Sequence, residues 1–152
     1  MHKIKLLFFI LSVMAFMIWA CDEKILTGSV DCSECYQDKP DSFELQVYLT
    51  FNDSINEIPL VLYNGNYEDN KIDYIDTAWV ENGNPYWVYV KVDKEYSVRA
   101  EYRFTGKTIY AIDGTRLKAK HVSSDVCYPD CWVIDDNKLD LEIKDEFLKS
   151  EK

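Results

Sequence analysis

Glycine and proline are scarce in this chain, with five and four among 152 residues, and histidine occurs only twice. That scarcity excludes collagen-like, Gly/Ser-linker and proline-rich disordered classes. No internal repeat and no low-complexity run is present. Basic residues are outnumbered, 17 against 27 acids, so nucleic acid and anionic lipid headgroups are poor partners, because phosphates are held by Lys and Arg. No nucleophile elbow, phosphate loop or zincin pattern occurs. The longest apolar run, Leu6 to Ala20, is interrupted by Ser12. It falls short of the roughly 20 residues that cross a bilayer as a helix.

What is present begins with that run. His2, Lys3 and Lys5 precede it, and Cys21-Asp22-Glu23-Lys24 ends it in charge. A basic start, an apolar centre and a small residue before an abrupt polar switch form the layout of a secretory signal peptide over 1–20. A retained membrane anchor is the alternative. Residues 1–20 carry two lysines and no acid, so without them the net charge moves from −10 to −12.

Ile18-Trp19-Ala20-Cys21 resembles a bacterial lipobox, with an aliphatic residue three before the cysteine and a small one directly before it. The resemblance implies that Cys21 is lipidated and becomes the first residue of the mature protein. Each buried methylene adds about 0.8 kcal/mol, so several acyl chains anchor stably where one does not. Asp22-Glu23 resembles an acidic surface-export tag of Gram-negative lipoproteins. That implies the outer membrane or cell surface. The periplasmic face of the inner membrane is the alternative, because an Asp directly after the cysteine also resembles a retention signal.

The rest divides into a polar tether over 21–42, a body over 43–144 and a charged tail over 145–152. The length after Cys21 suits one domain with its own core. In the body the dominant period is two. Phe43, Leu45, Val47, Leu49 and Phe51 alternate with Glu44, Gln46, Tyr48 and Thr50. Ile58 to Tyr63, Ile72 to Val80 and Tyr86 to Val92 are further apolar or alternating runs, divided at Asn64-Gly65-Asn66 and Asn82-Gly83-Asn84-Pro85. Tyr96 to Phe104 alternates cleanly, and Thr105-Gly106 turns it into Lys107 to Ile112. Asp113-Gly114 reads as a further turn into Thr115 to Val122, and Lys138 to Lys144 as the last strand. No window sustains a helical stripe. Seven to nine short strands predict an all-β, antiparallel Greek-key β-sandwich. Tyr96, Val98 and Ala100 in "EYSVRAEYRFTGKTIYA" resemble the late strand pair of transthyretin-like and carboxypeptidase-regulatory-like modules. That resemblance implies an Ig-like sandwich that scaffolds or binds.

Four cysteines remain after Cys21: Cys32 and Cys35 before the first strand, Cys127 and Cys131 before the last. An exported, oxidising setting and an even count favour disulfides. Cross-pairing the two ends, with the exact partners open, would clamp the tether onto the body. A bridge closing a loop of about 100 residues is worth up to about 4.7 kcal/mol on the chain-entropy model. A Cys₄ zinc site at the same four residues is the alternative. A redox C-x-x-C would ordinarily open a helix, and none is expected here.

Catalytic candidates are few. His121 is the one histidine after the leader, near Ser123, Ser124 and Asp125, and reads as a surface or packing residue. Glu68-Asp69-Asn70 and Asp135-Asp136-Asn137 could supply oxygen ligands to calcium, but neither has calcium-loop spacing, and both read as solvated turns. Eleven Tyr and four Trp are the remaining hook. Tyr48, Trp79, Trp87 and Tyr89 fall on the outward side of their strands and form a possible aromatic binding surface. The expectation is a non-catalytic, lipid-anchored envelope protein without a cofactor that binds a protein partner or serves as an accessory subunit. A glycan-binding surface lipoprotein is the alternative. A hydrolase using carboxylates is a further one that no visible acid–base pair supports.

Overall fold

The computed structural model describes residues 30–144. The leader, the lipobox with Cys21, and the charged tail lie outside the described residues. Among the described residues there is no α-helix, and so none long and apolar enough to cross a membrane. Eight strands form: β1 (Ser42–Tyr48), β2 (Glu57–Asn64), β3 (Ile72–Trp79), β4 (Tyr86–Lys91), β5 (Lys94–Phe104), β6 (Lys107–Val122), β7 (Cys131–Asp135) and β8 (Lys138–Asp140). They make two sheets, ordered β4-β1-β8 and β3-β2-β5-β6-β7. The protein is an all-β sandwich, within the strand number that the alternation predicts.

The apolar rows point where a period of two sends them. Leu45 and Val47 of β1 face Leu60, Leu62, Val98, Ala100 and Tyr102 across the interior, with Leu117, Leu139 and Leu141 in the same core. All pairs are antiparallel except β1 with β8, where Gln46, Val47 and Tyr48 run parallel to Lys138, Leu139 and Asp140.

The strands depart from the sequence pattern at several places, and the last one ends at Asp140 rather than Lys144. Asp113-Gly114 is not a turn: β6 runs straight through it, paired with β5 from Lys94↔Leu117 to Phe104↔Lys107. Gly114 is there because the strands approach closely; a Cβ would sit 3.3 Å from the Tyr96 carbonyl oxygen and 3.4 Å from Ser97 Cβ. The first strand ends at Tyr48 rather than Phe51. The Asn84 side-chain amide takes both peptide groups of Leu49, accepting from its N–H at 3.0 Å and donating to its carbonyl at 2.7 Å. A side chain thus stands where a neighbouring strand would. Finally, Cys131–Asp135 is a strand, hidden in the sequence between a cysteine and an acidic turn.

The segment before β1 is fastened to the body. Tyr36 and Trp132 exchange two backbone hydrogen bonds, 2.9 and 2.7 Å, along the free edge of β7. Lys39 pairs with Asp93 at 2.5 Å, and Asp41 accepts from the Val92 N–H.

Candidate functional site

Edges decide where a sandwich can accept something, because they carry unpaired peptide groups. The β7 edge is occupied by Tyr36. β8 is three residues long, and the Asp140 N–H is taken by the Asp113 carboxylate at 2.8 Å. The long free edges are therefore β3 in one sheet and β4 in the other, and they flank the same open side of the sandwich. Side chains blunt part of each. Asp76 accepts from the Thr77 N–H, Asn82 from the Trp79 N–H, and the Tyr96 hydroxyl from the Lys91 N–H.

Between these edges lies a cavity of about 410 Å³. Leu62 and Val88 belong to its lining from the inner faces, and Tyr74, Tyr86, Trp87 and Tyr89 with Asp73 from the edges. A second cavity of about 410 Å³ shares Asp73 and Tyr89 and continues past Ser42, Asn64, Lys91 and Lys94. Asp73 lies where the β2–β3 register slips, between Leu62↔Tyr74 and Tyr63↔Ile72.

A polar latch crosses the open side. The Tyr86 hydroxyl, from β4, donates to Asp76 of β3. Tyr74 donates to the same carboxylate oxygen at 2.9 Å. The bond from Tyr86 holds the Asp76 carboxyl below its usual range against the opposing effect of partial burial. Burial, then the Asp76 bond, pushes the Tyr86 hydroxyl well above the usual tyrosine range. Both effects keep Asp76 ionised and the tyrosines protonated across neutral pH.

The four aromatics expected to share a surface divide. Trp87 and Tyr89 stand on the outer face of the three-stranded sheet, opposite Gln46 and Glu44, with Tyr48 on the same face. Tyr89 is 71 % exposed, and the Tyr48 hydroxyl bonds Gln46. Trp79 ends β3 in the other sheet. Tyr74, Tyr86, Asp73 and Asp76 join the site without any sign in the sequence, since alternation alone does not tell that β3 and β4, in different sheets, border one opening.

The cysteines from the two ends do meet. Cys32 is disulfide-bonded to Cys127 and Cys35 to Cys131, each with Cα atoms 5.5 Å apart. The Sγ atoms of Cys35, Cys127 and Cys131 lie within 4.8 Å of one another. His121 sits beside this region, with Nε2 2.9 Å from Asp130 Oδ2 and its ring 5.1 Å from that of Trp132. Its partners are thus not Ser123 or Ser124. The acidic clusters have local roles. Asp69 closes a 3₁₀ turn capped by Asn66 and pairs with Lys71. Asp135 pairs with Lys120, and Asp136 holds the left-handed turn position between β7 and β8.

Comparison with protein-family models, with curated proteins and with solved structures finds no match for the chain.

Proposed function

We propose that this chain is a non-catalytic binding module of the bacterial envelope, lipid-anchored through Cys21, that holds a protein partner on the open side of its sandwich. The observation that carries the reading is the exposed apolar side chains on the two free edges, Ile72, Tyr74 and Ile75 on β3 and Trp87 and Tyr89 on β4, with Tyr74, Trp87 and Tyr89 lining the opening between them. Exposed apolar surface of this kind marks interaction sites more often than chance scatter does. The lipobox resemblance supports the anchor, and Asp22-Glu23 supports outer-membrane or surface placement. The transthyretin-like resemblance supports a scaffold role. The clamp is read as disulfides, with zinc at Cys32, Cys35, Cys127 and Cys131 as the alternative.

A glycan is the second reading. The cavity beside Trp87 combines several aromatic rings with the Asp73 carboxylate, groups that stack on sugar rings and accept from their hydroxyls.

Two measurements test the first reading. A fatty-acid analogue labels wild-type cells and leaves the Cys21→Ala chain unlabelled; equal labelling removes the anchor. Pull-down from native membranes recovers a specific protein with wild type, less of it with Trp87→Ala or Tyr89→Ala, and the normal amount with Tyr128→Ala, an exposed ring that is on neither β3 nor β4 and does not line the opening. Equal recovery by all forms removes the open side as the binding surface. Binding to a glycan array that is lost in the same two variants favours the second reading.

A further inference from the structure

The two disulfides are neighbours, and their arrangement offers an exchange that needs no net oxidation or reduction. Cys32 lies exposed in the 3₁₀ turn Cys32–Glu34, while Cys127 and Cys131 are buried. The sulfurs of Cys127, Cys131 and Cys35 are within 4.8 Å of one another. A 3₁₀ turn also places residues three apart over one another, which brings Cys32 and Cys35 to one side.

We propose that the four cysteines form a thiol–disulfide exchange site that a monothiol switches between a clamped state and a released one. The thiolate attacks the exposed Cys32 sulfur. The Cys32–Cys127 bond breaks, the entering sulfur bonds to Cys32, and Cys127 leaves as a thiolate. Cys127 then attacks Cys131, forming Cys127–Cys131 and expelling Cys35 as a thiolate. Cys35 attacks Cys32, forming Cys32–Cys35 and returning the monothiol as its thiolate. Two disulfides enter and two leave, and the monothiol is recovered. Both long-range ties have become local rings. Tyr36 is then held on β7 only by its two backbone hydrogen bonds and neighbouring contacts, so the segment can leave and uncover the β7 edge.

The test uses the full chain carrying Cys21→Ser, in which these four are the only cysteines. Trypsin places Cys32 and Cys35 together in peptide 25–71, because Lys39 precedes Pro40, and Cys127 with Cys131 in peptide 121–138. In the clamped state the two peptides are cross-linked. After incubation with 2-mercaptoethanol, a neutral thiol that the acidic protein does not repel, and an acid quench, they separate. Each is then two hydrogen atoms lighter than its reduced form. Peptides that stay linked until both are fully reduced overturn the proposal. A second arm uses Cys35→Ser, which leaves Cys131 as a thiol beside Cys127. Here Cys127–Cys131 forms without added thiol, and alkylation after denaturation marks peptide 25–71. A label on peptide 121–138 instead shows that Cys32–Cys127 persists and overturns the proposal. Should that variant fail to fold, the first arm alone decides.

Discussion

Tyr102→Phe removes one oxygen atom from the middle of the core. Tyr102 is fully buried on β5. Its hydroxyl donates to the Leu141 carbonyl at 2.8 Å and accepts from the Thr50 N–H at 3.1 Å. It thereby ties the chain after β8 and the chain after β1 to the opposite sheet. In the variant the buried Leu141 carbonyl loses its donor, worth about 1–3 kcal/mol, while the half-buried Thr50 N–H can recover water and costs about 0.5–1 kcal/mol. The expected loss is about 2–3 kcal/mol at neutral pH, read by urea denaturation. Burial also pushes the Tyr102 hydroxyl up to about 12. An unfolded tyrosine ionises near 10, so between these values the unfolded state has released a proton that the native state retains. This contribution is therefore present below about pH 10 and is lost as pH rises toward 12, at about 1.4 kcal/mol per pH unit. The variant has no such group, so the stability gap between wild type and variant narrows over that window and nearly closes at its top. A gap below about 0.5 kcal/mol at neutral pH, or one that is constant through the alkaline window, would refute both the bridging role and the buried setting assigned to this hydroxyl.

Two further outcomes are expected. The two bridges contribute unequally: the first closes a loop of 95 or 96 residues, whereas the second, once the first is in place, closes an effective loop of only about 9 residues through the two short cysteine segments. Cys32→Ser with Cys127→Ser, or Cys35→Ser with Cys131→Ser, is therefore expected to cost about 2–3 kcal/mol, and replacing all four about 7 kcal/mol on the chain-entropy model, read by urea denaturation. Single-pair and four-cysteine variants of equal stability would contradict it. Asp76→Asn removes a carboxylate whose native pKa is depressed by the Tyr86 hydroxyl. That contribution is present above the ordinary carboxylate pKa and is lost as pH falls through the lowered native value. The variant should show a flatter decline in acid than wild type, by thermal melts across that range. Parallel acid profiles would show that the latch does not couple to folding.

The strands were legible because alternation is local. Residues i and i+2 share a face whatever the rest of the chain does, so Leu45, Val47, Val98, Ala100 and Tyr102 identify themselves as core from neighbours alone. Turns were legible where Asn and Gly must supply unusual backbone angles, as at Gly65 and Gly83, both with positive φ. Gly114 shows the limit, because the same residue type serves a close strand contact and only the partner strand reveals which. The end of β1 was likewise set from a distance, by Asn84, 35 residues away.

Composition and patterning by themselves determined the all-β class, the acidic character and the candidate cysteines. Tertiary structure decided which cysteine meets which, that Trp79 stands apart from Trp87 and Tyr89, and that β3 and β4 leave one side open. The physical reason is that periodicity reports which face of a strand is apolar, whereas strand order is set by pairing between residues distant in sequence. An edge, a latch or a sulfur cluster exists only once that order is formed.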